Sequence, residues 1–186
     1  MGTMIKNGTD VVTFLKAQHQ DIKRMFQEVL QARGEERVRA FVALRRTLAV
    51  HETAEEEIVH PAARRSLPGG DIIVSQRLSE ENRAKKLLTE IEKLACDSGE
   101  FLTRFEALKS AVLAHAEAEE RQEFDKLAAL LDPDRLERMR KAAEFAEKVA
   151  PTRPHAGVES QAANFLVGPF AAMLDRSRDA LAAKRS

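Results

Sequence analysis

Two stretches of the chain carry a histidine followed four residues later by a glutamate, His51 with Glu55 and His115 with Glu119. Residues at that spacing share one face of an α-helix, so each imidazole stands beside its carboxylate. The surroundings repeat as well. FVALRRTLAVHETAEE at 41–56 and FEALKSAVLAHAEAEE at 105–120 align at an offset of 64, which also pairs Phe41 with Phe105 and Leu44 with Leu108. Each motif continues an apolar stripe, Leu44, Leu48, His51, Glu55 and Ile58 in one copy and Leu108, Val112, His115 and Glu119 in the other. Their polar groups are therefore expected to point into a core. Burying that many ionisable groups costs several kcal/mol each unless they find partners, and a divalent or trivalent cation satisfies all of them together.

Helices must position these groups. Apolar residues recur at helical spacing along most of the chain and no strand-like alternation persists, so the fold is expected to be all-α. A first helix is predicted over about 10–33, opened by Thr9 or Asp10 and closed by Gly34, with His19 between Leu15 and Ile22 on its stripe. A second runs over 35–59 and is expected to stop at Pro61. The third covers 71–96 after the loop Ser66-Leu-Pro-Gly-Gly70, the fourth 100–131, and a fifth follows Asp132-Pro133 to Val149. Short connections between four long helices imply an up-down-up-down four-helix bundle with a C-terminal helical extension. At about 1.5 Å per residue, His19, His51, Glu81 and His115 all fall roughly 14 to 16 Å from one end of that bundle. On the third helix the periodicity leaves Glu80 and Glu81 both near the inward arc.

Composition removes several classes of function. With 30 Lys+Arg against 30 Asp+Glu in 186 residues, no broad nucleic-acid or anionic-membrane surface is expected. No apolar run reaches the roughly 18 residues of a bilayer span, and MGTMIKNGTD lacks a secretory apolar core, so the expected location is cytoplasmic. The lone Cys96 forms no intramolecular disulfide, and the absence of Tyr excludes a phenolate ligand or tyrosyl radical. Residues 8–131 read as the bundle and 132–186 as the extension. Within the extension, a Pro-flanked linker to His155 precedes FLVGPFAAML at 165–174, a helical stretch that could pack on the bundle or form a homodimer surface through Phe165, Phe170 and Leu174.

The segments AQHQDIKRMF, HETAEEEIVHP and HAEAEERQEF resemble the hemerythrin-like, or HHE cation-binding, domain family over about residues 8–131. The resemblance implies a non-heme di-iron centre, oxo- or hydroxo-bridged, that reacts with or senses O2, peroxide or nitric oxide. Zn or Mn are alternative metals. It also implies His19, His51 and His115 as terminal ligands and Glu55 and Glu119 as bridges. Where the family has a histidine on the third helix, this chain has LSEENRAKKLL, and the register set by the resemblance puts Glu81 there. Three carboxylates favour the ferric state and point to oxidase, peroxidase-like or ferroxidase chemistry rather than reversible oxygen carriage. Competing readings are a non-enzymatic iron store or sensor, and a Zn-bound or metal-free partner-binding module. Glu52 and Glu120 are expected on solvated faces, with Glu52 able to swing in as an extra ligand. His60 reads as a structural helix-end residue, His155 as a surface imidazole, and Cys96 as unreactive.

Overall fold

The computed structural model describes residues 10–150. The expected linker beyond Ala150, His155 and the stretch 165–174 lie outside the described residues. Within them the chain is all-helical, as α1 (Val11–Gln31), α2 (Gly34–Ala54), α3 (His60–Ser66), α4 (Gly70–Ile91), α5 (Gly99–Glu119), α6 (Asp125–Leu130) and α7 (Pro133–Val149). Two single π-helical turns, Glu55–Val59 and Glu120–Phe124, join α2 to α3 and α5 to α6, so each pair forms one long rod. α1, the α2–α3 rod, α4 and the α5–α6 rod make the four-helix bundle, and α7 lies across α1, α2 and the first π turn. No helix among the described residues is long and apolar enough to cross a membrane.

Local chemistry sets the helix ends. Asp10, Ser98 and Asp132 each accept a backbone N–H three residues on, satisfying a donor that the first turn of α1, α5 and α7 leaves spare. At the other end of α1, the buried Arg37 guanidinium donates to the carbonyls of Val29 and Leu30 and pairs with Asp97, tying the α1–α2 corner to the α4–α5 connection. Gly69 has φ of +70°, and a Cβ on Gly70 would lie 2.4 Å from the Ala63 carbonyl oxygen. Glycine there lets α4 start directly against α3, which fixes the level at which α4 delivers its side chains.

Pro61 does not end the second helix. The π turn before it routes the His60 N–H to the Glu55 carbonyl, five residues back, and Pro61 falls in the first turn of α3, where a missing N–H costs nothing. The rod therefore continues to Ser66.

Apolar packing forms two compartments. One gathers Val11, Leu15, Ala54, Val59, Val74, Phe124, Leu127 and Met139; the other gathers Ile22, Phe26, Phe41, Leu44, Leu88, Phe101, Phe105 and Leu108. In the second, Phe101 and Phe105 stack at 5.4 Å and Phe41 meets both edge-on, each such side chain contributing about 1.5–3 kcal/mol through burial. Between the compartments runs a layer of buried polar side chains.

Candidate metal centre

The layer is built from the face that each helix turns inward. α1 contributes His19, α2 His51, the first π turn Glu55, α4 Glu81, and α5 His115 with Glu119. Glu55 and Glu119 are wholly buried, Glu81 is 1% exposed, and His19 and His51 are 4% and 5% exposed. The repeated motif puts the His51 Nε2 3.2 Å from Glu55 Oε1 and the His115 Nε2 3.2 Å from Glu119 Oε1. His19 joins the two halves, its Nε2 3.6 Å from Glu55 and 3.5 Å from Glu119. All six residues expected from the sequence thus meet in one layer, with Glu81 Oε1 3.9 Å from the His115 Nε2. Glu80 lies outside it, pairing with Arg77 and accepting from the His115 Nδ1 at 3.0 Å.

Most of the converging atoms make ion pairs but no hydrogen bond. Both oxygens of Glu55 and of Glu119, and the Nε2 atoms of His19 and His115, are buried without a hydrogen bond. Polar atoms in a core almost always have one. Ligand atoms each about 2.0–2.2 Å from a common ion lie roughly 3 to 3.5 Å apart, and the separations here, 3.2 to 3.9 Å, reach that range and a little beyond it. Two overlapping groups, His19 with His51 and Glu55, and Glu55 with His115 and Glu119, share Glu55. Nitrogen and carboxylate donors in these numbers suit Fe, Mn or Zn.

The rings and carboxylates of the layer shift one another's pKa values. Burial alone would depress the His19 imidazole, but Glu119 and Glu55 overcome it and raise its pKa to about 10. The His115 imidazole is likewise raised well above its ordinary value against the pull of burial, chiefly by Glu119 and Glu80. Burial and the Glu119 charge work to raise Glu55, yet His51 and His19 bring it down to about 2. Glu81 differs: burial, reinforced by Glu52 and Glu56, lifts it to about 8 although His60 opposes the rise.

Residues beyond the motifs complete the layer. Glu52 is 9% exposed and so lies off the solvated face expected for it, whereas Glu120 keeps a side chain 28% exposed while accepting from the His19 Nδ1 at 2.9 Å. Glu52, Glu56 and Glu81 surround the buried Lys85 ammonium, which hydrogen-bonds Glu56 and sits 3.4 Å from Glu52 and 3.7 Å from Glu81. Its side chain supplies a cation inside the bundle, and those carboxylates raise its pKa against the effect of burial. His60, expected at a helix end, is 2% exposed, with Nε2 2.8 Å from Glu81 Oε1 and Nδ1 3.2 Å from Glu123 Oε1. Nine residues of α-helix would carry it about two and a half turns from His51, to the opposite face. The wider π turn swings it back inward. Gln18 donates to Glu147 of α7 at 2.7 Å, which leaves its oxygen to accept from the His51 Nδ1, also at 2.7 Å. Sequence periodicity gives no sign of that link, because Gln18 and Glu147 sit on different helices.

A cavity of about 20 Å³ opens beside the layer, walled by Ile22, Leu48, Ala84, Val112, Leu113 and Ala116 and ending at His19, His51 and His115. That volume admits about one water-sized molecule. Elsewhere, burial and the adjacent Asp97 raise the Cys96 thiol above its usual range, which disfavours the nucleophilic thiolate.

Comparison with known proteins gives this layer a family. The hemerythrin HHE cation binding domain matches residues 10–127, and the chain belongs to that family. Its fold is similar to the crystal structure of an HHE cation binding domain-containing protein from Mycobacterium kansasii, with a TM-score of 0.65, 19% identity, and coverage of 75% of this chain and 85% of that one. A DNA nickase from Nostoc sp. is 24% identical over 126 residues, 64% of this chain. The chain spans 35% of the length of that nickase. Family, fold and the His and carboxylate clusters together make this a cation-binding domain.

Proposed function

We propose that the chain holds two iron ions in the bundle core, with His19, His51 and His115 as terminal ligands, Glu55 and Glu119 between the metals and Glu81 as third carboxylate, and that the centre reacts with or senses O2, peroxide or nitric oxide. The observation that carries this reading is the convergence of ring nitrogens and buried carboxylate oxygens from both repeat motifs and His19, most of them without a hydrogen bond. Bound iron would supply Lewis acidity and electrons. The chain's own residues define what can reach that position and in which state. The apolar walls of the small cavity favour a diatomic or similarly small, weakly hydrated molecule over a metabolite. Glu120, Gln18 and Glu80 hold protons at the Nδ1 atoms of His19, His51 and His115, leaving each Nε2 lone pair for the metal. Three carboxylates bias the pair toward the ferric state, which favours electron transfer to an oxidant over release of intact O2. A cytoplasmic setting, where the lone Cys96 stays reduced, is part of the proposal.

Elemental analysis with an absorption spectrum of the protein as purified tests it. Two irons per chain and a near-ultraviolet band from bridged Fe(III) are expected, followed by turnover of added peroxide. Iron bound without turnover favours storage or sensing instead. A chain loaded with Zn alone, or with no metal, sinks the di-iron reading.

A further inference from the structure

Four histidines among the described residues share one construction. Each turns its Nδ1 to an oxygen acceptor: His19 to Glu120 at 2.9 Å, His51 to Gln18 at 2.7 Å, His115 to Glu80 at 3.0 Å and His60 to Glu123 at 3.2 Å. Each then presents Nε2 to carboxylates in the polar layer. Such an acceptor fixes the tautomer and orientation of a metal-ligating imidazole. Three of these rings are the terminal ligands proposed above. The fourth, His60, is oriented in the same way with no role assigned to it.

We propose that His60 is a fourth imidazole ligand of the centre, binding through Nε2 beside Glu81 and His115, with Glu123 as its positioning residue. This rests on the metal-centre reading and extends it. Three observations favour a ligand over a purely structural ring. His60, Glu119 and Glu123 can present one atom each within 4.8 Å of one another, so this group shares Glu119 with the cluster around His115. Glu81 Oε2 and Glu123 Oε2 are buried without a hydrogen bond, leaving donor capacity on both sides of the ring. The repeat offset pairs His60 with Phe124, which fills the corresponding place with a hydrocarbon ring stacked on His19. Packing there needs no imidazole. Near α1, His19 and His51 supply two rings, whereas α4 supplies none and His115 would stand alone. His60 restores two and two, and the π turn Glu55–Val59 brings it inward.

Binding of Zn(II), which takes the same nitrogen and carboxylate donors, tests the assignment on the full chain. His60→Phe copies the residue of the other repeat and should weaken the second Zn(II) by about 100-fold or more while leaving the first in place, and Glu123→Gln should weaken it by about 10–100-fold. Imidazole 15N spectra of the Zn(II)-loaded wild type should show His19, His51, His60 and His115 all metal-shifted at Nε2. That count needs no variant and decides the matter should His60→Phe misfold. A His60→Phe protein that binds both ions with wild-type affinity, or a His60 signal that stays unshifted in the loaded wild type, overturns the ligand role alone. Wild-type protein that binds no Zn(II) or Fe(II) overturns the metal-centre reading with it.

Discussion

His19 and Phe124 stack with ring centroids 5.5 Å apart and planes 16° from parallel. Phe124 is fully buried at the end of the second π turn, so it forms a wall that holds the imidazole edge-on toward Glu55 and Glu119. Phe124→Ala should cost about 3–5 kcal/mol in denaturant unfolding. Phe124→Leu keeps most of the volume but loses the flat face, so it should fold well and bind metal more weakly. Unchanged metal affinity in the leucine variant would show that stacking does not orient His19.

Lys85 is the cation that the carboxylates of Glu52, Glu56 and Glu81 share. Removing one partner of a buried charge cluster leaves the others uncompensated, so Lys85→Met should destabilise the metal-free protein by about 3–5 kcal/mol. Mn(II) or Zn(II) should recover part of that loss, because the same three carboxylates form a group able to take an ion. Thermal unfolding with and without the metal checks both statements. A variant as stable as the parent would mean these carboxylates are already protonated when the chain folds.

Glu81 and Glu80 are neighbours in sequence with opposite placements, one in the core and one bonded to the outer nitrogen of His115. Glu81→His removes a negative charge beside the metals and should raise the reduction potential of the iron pair and lengthen the ferrous lifetime in air. Glu80→Gln keeps an acceptor for the His115 Nδ1 and should shift the potential much less. A larger shift from Glu80→Gln would move the control of the potential from the carboxylate beside the metals to the group that orients the ring.

Metal and protons compete for the same atoms, which sets the pH response. The His19 pKa rises on folding from 6.5 to about 10, so its contribution to stability is complete below pH 6.5 and lost as pH climbs toward 10. Glu81 rises from 4.5 to about 8, and its contribution also declines with increasing pH across that interval. Glu55 falls from 4.5 to about 2, so its contribution is complete above pH 4.5 and lost in stronger acid. The metal-free chain should therefore be most stable in mild acid and weaken on both sides. Metal should flatten the alkaline side and release protons on binding. Melting temperatures from pH 4 to 10, with and without Zn(II), test this; an alkaline decline of equal steepness in both forms would contradict it.

The sequence showed the parts of this arrangement that obey helical periodicity. His51 with Glu55 and His115 with Glu119 stood out because a four-residue spacing on an apolar stripe has one geometric meaning. The π turns left no such mark. A turn one residue wider has no composition of its own, so Pro61 read as a stop and His60 as a helix-end residue, although both lie within a continuous rod. Choosing between Glu80 and Glu81 required the family register, since an arc of 100° per residue admits both. The acceptors behind the rings come from partners 33 to 101 residues away in the chain, as with Gln18 behind His51 and Glu120 behind His19. Such pairs become visible only once the helices are packed.

The polar layer also bears on how the molecule comes apart. It divides the interior into two apolar compartments, one around Phe124 and Leu15 and the other around Phe105 and Phe26, with repelling and attracting charges between them. In the metal-free chain the halves communicate through the helix backbones and those charges, so each can open with its own free energy. An ion bonded at once to α1, α2 and α5 would make separation of the halves require breaking coordination on several helices together. Metal loading would then change the cooperativity of unfolding as well as its midpoint, merging two hydrogen-exchange units into one.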